Sequence, residues 1–224
     1  MNTNTPKPKS TRRPAASKAG RPPAERDLAV RQQLLAAARS LFAKHGYDAV
    51  STRALAEAAK VNPAMISYYF DNKQGLYEAM LADTFQPLMQ RLGELMGSAA
   101  GGPNPVRGFL EAYMRTLGAN PWMPPLILRE VVAEGGRLRG WFIQQFASKG
   151  GGLLTQLMAR EQAAGRLRAD LDPTLAALSL VSMAVFPFVA MPVASEVFGM
   201  RVKQDYLDRL IAHTERVFLQ GVSA

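Results

Sequence analysis

The chain has 224 residues, 48% hydrophobic and 20% charged, the balance of a globular protein large enough to bury a proper core. It has no cysteine, which excludes disulfides and thiolate metal sites and fits a reducing compartment. Its formal charge of +9 is uneven, because Lys7, Lys9, Arg12, Arg13, Lys18 and Arg21 all precede the first acid, Glu25.

Residues 1–24 hold five prolines and no apolar run, so they read as a disordered basic arm without an export signal. Such an arm points to a polyanionic partner, against the plainer reading of a solubilising tail. Helical periodicity follows. A first helix is expected from about Ala24 to His45, with Leu34, Leu35, Ala38, Leu41 and Phe42 on one face and Gly46 as its left-handed stop. Ser51 is placed to cap a second helix ending near Ala59. Asn62-Pro63 opens a third, with Asn as cap and Pro in the first turn. A longer helix, about Lys73 to Met96, turns Leu76, Met80, Leu81 and Leu88 inward, with a kink expected at Pro87. "GSAAGGPNP" (97–105) is the clearest break in the chain.

Beyond it the spacing predicts helices at about 105–118, 122–134, 137–164, 173–197 and 203–220. "KGGG" (149–152) interrupts the third of these, and whether it splits that helix is left open. Residues 173–195 are uncharged and long enough to suggest a membrane span. Pro187, Pro192 and the missing basic flank favour a core or subunit-interface helix instead. The chain reads as all-α, with an arm at 1–24, a helix-turn-helix DNA-binding domain at 25–72 and a larger helical domain at 73–221.

Two short helices joined by a tight turn are the parts of a helix-turn-helix, whose second helix enters the DNA major groove. Leu55, Ala59, Val61 and Ile66 can all point between the two. At the start of the third helix, Pro63, Ala64 and Met65 are expected to face base edges by apolar contact with thymine methyl groups. Arg53 is the side chain suited to a bidentate contact with guanine. Thr52, Tyr68, Tyr69 and Lys73 carry hydroxyls or charge suited to phosphate.

"STRALAEAAKVNPAMISYYFDNKQGLYEAM" (51–80), with its lead-in "LLAAARSLFAKHGYDAV", resembles the DNA-binding region of the tetracycline-repressor (TetR) family of bacterial regulators. The likeness rests on Ser51-Thr52-Arg53-Ala54-Leu55-Ala56, the turn Ala59-Lys60-Val61-Asn62, then Tyr68-Tyr69-Phe70 and Lys73. Two positions depart from the family pattern. Lys60 stands where the turn usually has glycine and is expected near a phosphate, and Ser67 stands where an aromatic commonly reaches the DNA. "KAGRPP" (18–23) resembles the centre of an AT-hook, which implies minor-groove or phosphate contacts for Arg21 with Arg12 and Arg13.

The resemblance implies a cytoplasmic, ligand-responsive repressor that binds double-stranded DNA. It further implies a homodimer through the last two helices (about 173–197 and 203–220) and a pocket for a small apolar or amphipathic effector among the middle helices. Phe109, Tyr113, Trp122 and Met123 are candidate pocket residues, as are Phe142, Phe146, Met183 and Phe186, with "NPWMPPL" (120–126) as the rim. No cofactor or metal is expected. His45 and His213 are the only histidines, and Glu130 and Glu134 have Arg129, Arg137 and Arg139 nearby as ordinary ion-pair partners. Three rivals stay open: a constitutive or architectural DNA-binding protein without effector, a helical enzyme, and a membrane-attached regulator.

Overall fold

The computed structural model describes residues 23–97, 104–201 and 204–223, and every regular element among them is helical. Helix α1 (Pro23–His45) buries Leu34, Leu35, Ala38 and Phe42 completely. It ends at Gly46, which takes φ +80 while its N–H donates to the Phe42 carbonyl at 2.9 Å.

Helix α2 (Thr52–Ala59) starts at Ser51, whose hydroxyl accepts from the Ala54 N–H. It closes in a Schellman turn: the Lys60 N–H donates to Glu57 O at 3.0 Å, and the Val61 N–H to Ala56 O at 2.9 Å. Lys60 takes the left-handed conformation (φ 57, ψ 41) for which glycine is the usual residue. Helix α3 (Ala64–Phe70) is shorter than the sequence suggests. The regular hydrogen-bonded span starts after Pro63, yet Pro63 already has helical φ and ψ and Asn62 Oδ1 accepts from the Ala64 N–H at 2.9 Å, so Asn62 makes the expected cap. Seven residues do not hold a helix in water. Ile66 and Phe70, packed with Leu55, Ala56 and the face of α1, hold this one.

The turn out of α3 is tight. Asp71 takes φ 64, ψ −47, and the Asn72 N–H reaches back to Phe70 O at 2.7 Å, which is a γ-turn of the uncommon positive-φ kind. A Cβ on Gly75 would lie 2.0 Å from that same Phe70 oxygen, so glycine alone permits the approach. Helix α4 (Lys73–Gly97) then serves both halves of the molecule. Leu76, Tyr77 and Met80 complete the core against α1 and α3, while Phe85, Leu88 and Leu92 face the C-terminal helices. Pro87 lies inside it on the exposed side. An ion pair between Arg39 and Asp83 fastens α4 to α1.

Helix α5 (Pro105–Ala119) packs among α4, α9 (Pro173–Val189) and α11 (Gln204–Val222). The stretch expected as one helix at 122–134 is a five-residue α6 (Met123–Ile127) running into a π-helical turn, Leu128–Val132. The one expected at 137–164 is α7 (Arg139–Phe142), a second π turn (Ile143–Ala147), then α8 (Ser148–Ala163). The glycine run therefore does not break its helix: Gly150, Gly151 and Gly152 all lie inside α8, each weaker there than alanine by roughly 1 kcal/mol. The stretch expected as one helix at 173–197 is instead two, α9 and α10 (Met191–Val197), bent by 65° around Ala190. Among the described residues no single helix is long and apolar enough to cross a membrane, although that bent pair passes by length and composition.

Contacts between the two halves gather at the loop after α1. Arg137 donates to Asp48 at 2.8 Å and lies over the Tyr47 ring, 4.9 Å from its centroid. Arg129 pairs with the buried Glu130 at 2.9 Å and packs its guanidinium on Gly46. Tyr77 lies beneath them, its hydroxyl buried near Arg129 with no well-formed hydrogen bond among the described residues, and that burial raises its pKa.

Candidate nucleic-acid interface and interior cavity

The exposed residues of α2 and α3 make a continuous outer surface. Thr52, Arg53, Lys60, Asn62, Pro63 and Ala64 are exposed, as are Ser67 and Tyr68. Arg53 makes no hydrogen bond or ion pair among the described residues, which leaves its guanidinium fork available. Tyr68 is 71% exposed and meets Tyr69 edge-on, with ring centroids 4.8 Å apart.

Three expected contacts are placed otherwise. Lys73 is turned inward: its Nζ donates to the carbonyls of Tyr47 and Val50, both at 2.9 Å, and sits 4.0 Å from the Tyr47 ring centroid. It pins the α1–α2 loop to α4 rather than reaching outward. Tyr69 is half-buried and donates its hydroxyl to Asp27 at 2.9 Å, tying α3 to α1. The aspartate also contributes to raising that phenol's pKa, after desolvation. Met65 is half-buried and packs against the core instead of standing clear of it. Arg21 and its neighbours in the arm lie outside the described residues.

In the C-terminal half, α4, α5, α8, α9 and the second π turn line a cavity of about 480 Å³ that opens to the surface beside the exposed Ala147, Gly151, Thr174 and Leu178. Four of the eight residues expected to line a pocket do so: Phe109, Tyr113, Phe142 and Phe146. Phe85 stacks on Phe146 at 5.1 Å and meets Phe142 edge-on at 5.0 Å, making an aromatic wall. The other four do not line it. Met123 is fully buried in α6, and Trp122 donates its indole N–H to Asn120 at 3.2 Å, so "NPWMPPL" is packed structure and not a rim. Phe186 is 67% exposed, and Met183 faces a shallow groove between α9 and α11.

Sequence reasoning missed the contribution of α4, whose Phe85, Leu88 and Met89 line the cavity, and that of Gly150 and Gly151. A legible signal existed for the glycines, since three in a row inside a helical pattern ask for a packing or functional reason. No charged residue lines the cavity, and its side-chain polar groups are the hydroxyls of Tyr113, Thr155 and Thr174. Burial pushes the Tyr113 phenol up to about 12, so it remains a neutral donor. Among the described residues no group of three or more histidines or carboxylates could hold a metal ion.

Residues 34–80 match the family model for bacterial regulatory proteins of the tetR family, and residues 104–217 match the tetracyclin repressor-like C-terminal domain. Over 51 residues the chain is 47% identical to the uncharacterized HTH-type transcriptional regulator YvkB of Bacillus subtilis, a match spanning 23% of this chain and 27% of that protein. It is 23% identical over 198 residues to the probable HTH-type transcriptional regulator YttP of the same organism, covering 87% and 94% of the two chains. The HTH-type transcriptional repressor NicS of Pseudomonas putida is 24% identical over 70% of this chain and 74% of its own. Among solved structures, the fatty acid degradation regulator FadR of Bacillus halodurans superposes with TM-score 0.68 at 18% identity, covering 85% of this chain and 98% of that one. A SmeT–triclosan complex superposes with TM-score 0.62 at 20% identity, covering 83% and 91%.

Proposed function

The chain belongs to the tetR family of bacterial regulatory proteins, which are DNA-binding transcription regulators and not enzymes, and on that premise we propose a ligand-responsive repressor that grips a palindromic operator as a homodimer. The observation that carries the reading is the outward surface of α2 and α3, with an unpartnered Arg53 beside the exposed start of α3. In this geometry α3 lies in the major groove and its first residues meet base edges. Arg53 reads guanine, Pro63 and Ala64 touch thymine methyls, and Thr52, Lys60 and Tyr68 hold phosphates. Because Lys73 and Tyr69 are engaged within the protein, they act by fixing the angle at which α3 is presented.

The dimer reading is supported by apolar side chains that α9 and α11 leave uncovered: Leu175, Leu178, Phe186 and Val217 are all large and exposed. A second copy covers them, setting two recognition helices ~34–36 Å apart on successive major grooves. The cavity supports the effector reading, as does the triclosan held by a structural relative. Helix α4 joins the two sites, since one stretch of it lines the cavity and another packs under α3. A ligand that fits the cavity better in one arrangement of α4 than in another shifts the separation of the recognition helices, and it acts only through that difference in affinity. A cytoplasmic location follows from such a role, and the basic arm around Arg21 adds phosphate or minor-groove contacts.

The test is selection of binding sites from random DNA by the full chain, then binding to the selected site against a panel of small molecules. Paired inverted half-sites and release by a panel member are the expected results. Single, unpaired sites would overturn the dimer, and binding indifferent to every compound would favour the constitutive reading. Removing residues 1–20 should lower the dependence of log affinity on log salt, and an unchanged slope would reject the arm's part.

A further inference from the structure

Resting on the reading of the cavity as an effector site, we infer that its ligand is an uncharged ring compound bearing one hydrogen-bonding oxygen, held by the Tyr113 hydroxyl and given room by Gly150 and Gly151. Three observations converge. The lining contains no charge of either sign, so a carboxylate or ammonium entering it would give up hydration with no countercharge to offset the loss. Tyr113 lines the same cavity, and its hydroxyl has no hydrogen-bond partner among the described residues. A bound molecule carrying a carbonyl or hydroxyl supplies that partner. The aromatic side chains of Phe85, Phe109, Phe142 and Phe146 all line it, and such a lining suits a ring system, which can pack against them edge-on or stacked.

The glycines set the size. A Cβ on Gly151 would meet nothing within 4 Å, and one on Gly150 would make only ordinary contact with Met89 Sδ at 3.6 Å. Backbone packing therefore does not require glycine at either position, and neither has positive φ. What the two share is that they line the cavity, whereas their neighbour Gly152, equally unobstructed, does not. Side chains at 150 and 151 would stabilise α8 and would occupy the space a ligand needs. Their absence acts as a filter on ligand size.

The test uses the full chain with the neutral ketone dye prodan, whose emission moves to longer wavelength when its carbonyl accepts a hydrogen bond. Its competitor is the anionic dye anilinonaphthalene sulfonate. Wild-type protein should bind prodan saturably, and the sulfonated dye should displace it poorly. Gly151→Leu should weaken prodan binding more than about tenfold with far-UV circular dichroism unchanged, and Gly151→Ala by less. Gly152→Ala should leave it as in wild type. Tyr113→Phe should weaken it about fivefold and move the bound emission to shorter wavelength. Wild-type affinity in a folded Gly151→Leu protein overturns the size filter, and unchanged emission in Tyr113→Phe overturns the anchor. A sulfonated dye that displaces prodan from the cavity with comparable affinity overturns the neutral ligand class. Failure of wild-type protein to bind prodan at all is a separate result, since it removes the effector cavity itself and this inference with it.

Discussion

Helices α3 and α8 make sites by opposite means. In α3 the chemistry is added: a seven-residue helix is anchored by Ile66 and Phe70, and everything on its outer side is presented to whatever approaches. In α8 the chemistry is subtracted: two glycines leave out side chains that the surroundings would accept, and the space appears among four helices. An added surface depends on a rigid base, so it fails when the base is loosened. A subtracted cavity depends on emptiness, so it fails when something is put in.

The sharpest way to break this contrast is to loosen the base alone. Leu55→Ala removes a fully buried side chain between α1, α2 and α3 and should destabilise the protein by about 2–5 kcal/mol, read by denaturant unfolding. Operator binding should fall steeply with temperature, while dye binding in the cavity persists wherever the chain stays folded. Equal loss of both would mean that the sites stand on one base.

Next in size is Lys73→Met. The ammonium donates to two backbone carbonyls of the α1–α2 loop, so its removal should cost about 2 kcal/mol of stability. The salt slope of DNA binding should stay unchanged. A slope reduced by about 1 would return Lys73 to the phosphate backbone and refute the inward role. Arg53→Ala should reduce operator affinity by about 1–3 kcal/mol, relax preference at one guanine and leave unfolding unaltered. A matching drop in stability would make Arg53 structural. The smallest effect is that of Lys60→Gly, which relieves the left-handed lysine at φ 57 and should raise stability by at most about 1 kcal/mol. Thermal unfolding measures it, and a lower melting temperature would show that the Schellman turn does not strain its lysine.

The legibility of each part follows from how far apart its determinants lie. Ser51, Gly46 and Asn62-Pro63 act on neighbours within a few residues, so the first four helices could be drawn from capping and periodicity, with α3 shortened by a residue or two. The inward bonds of Lys73 were not legible in the sequence because its partners, Tyr47 and Val50, lie 26 and 23 residues earlier and become neighbours only once α4 crosses the loop. Trp122 and Met123 looked uncovered in a proline-rich stretch, yet α6 is packed and Met123 is completely buried. Phe186 and Met183 carry the composition of a pocket, but their place on α9 turns them outward or toward α11. The break at Ala190 came from Pro187 and Pro192 acting inside a run whose uniform apolarity concealed it.

By itself the sequence determined the all-helical class, the helix-turn-helix and the side chains available to its outer surface, because those follow from local capping rules and short periodicities. Tertiary structure alone decided which cations turn inward, which aromatics border a cavity and which two of three consecutive glycines line it. Those outcomes depend on volumes and partners contributed by segments tens of residues apart, and no local pattern encodes the space left between them.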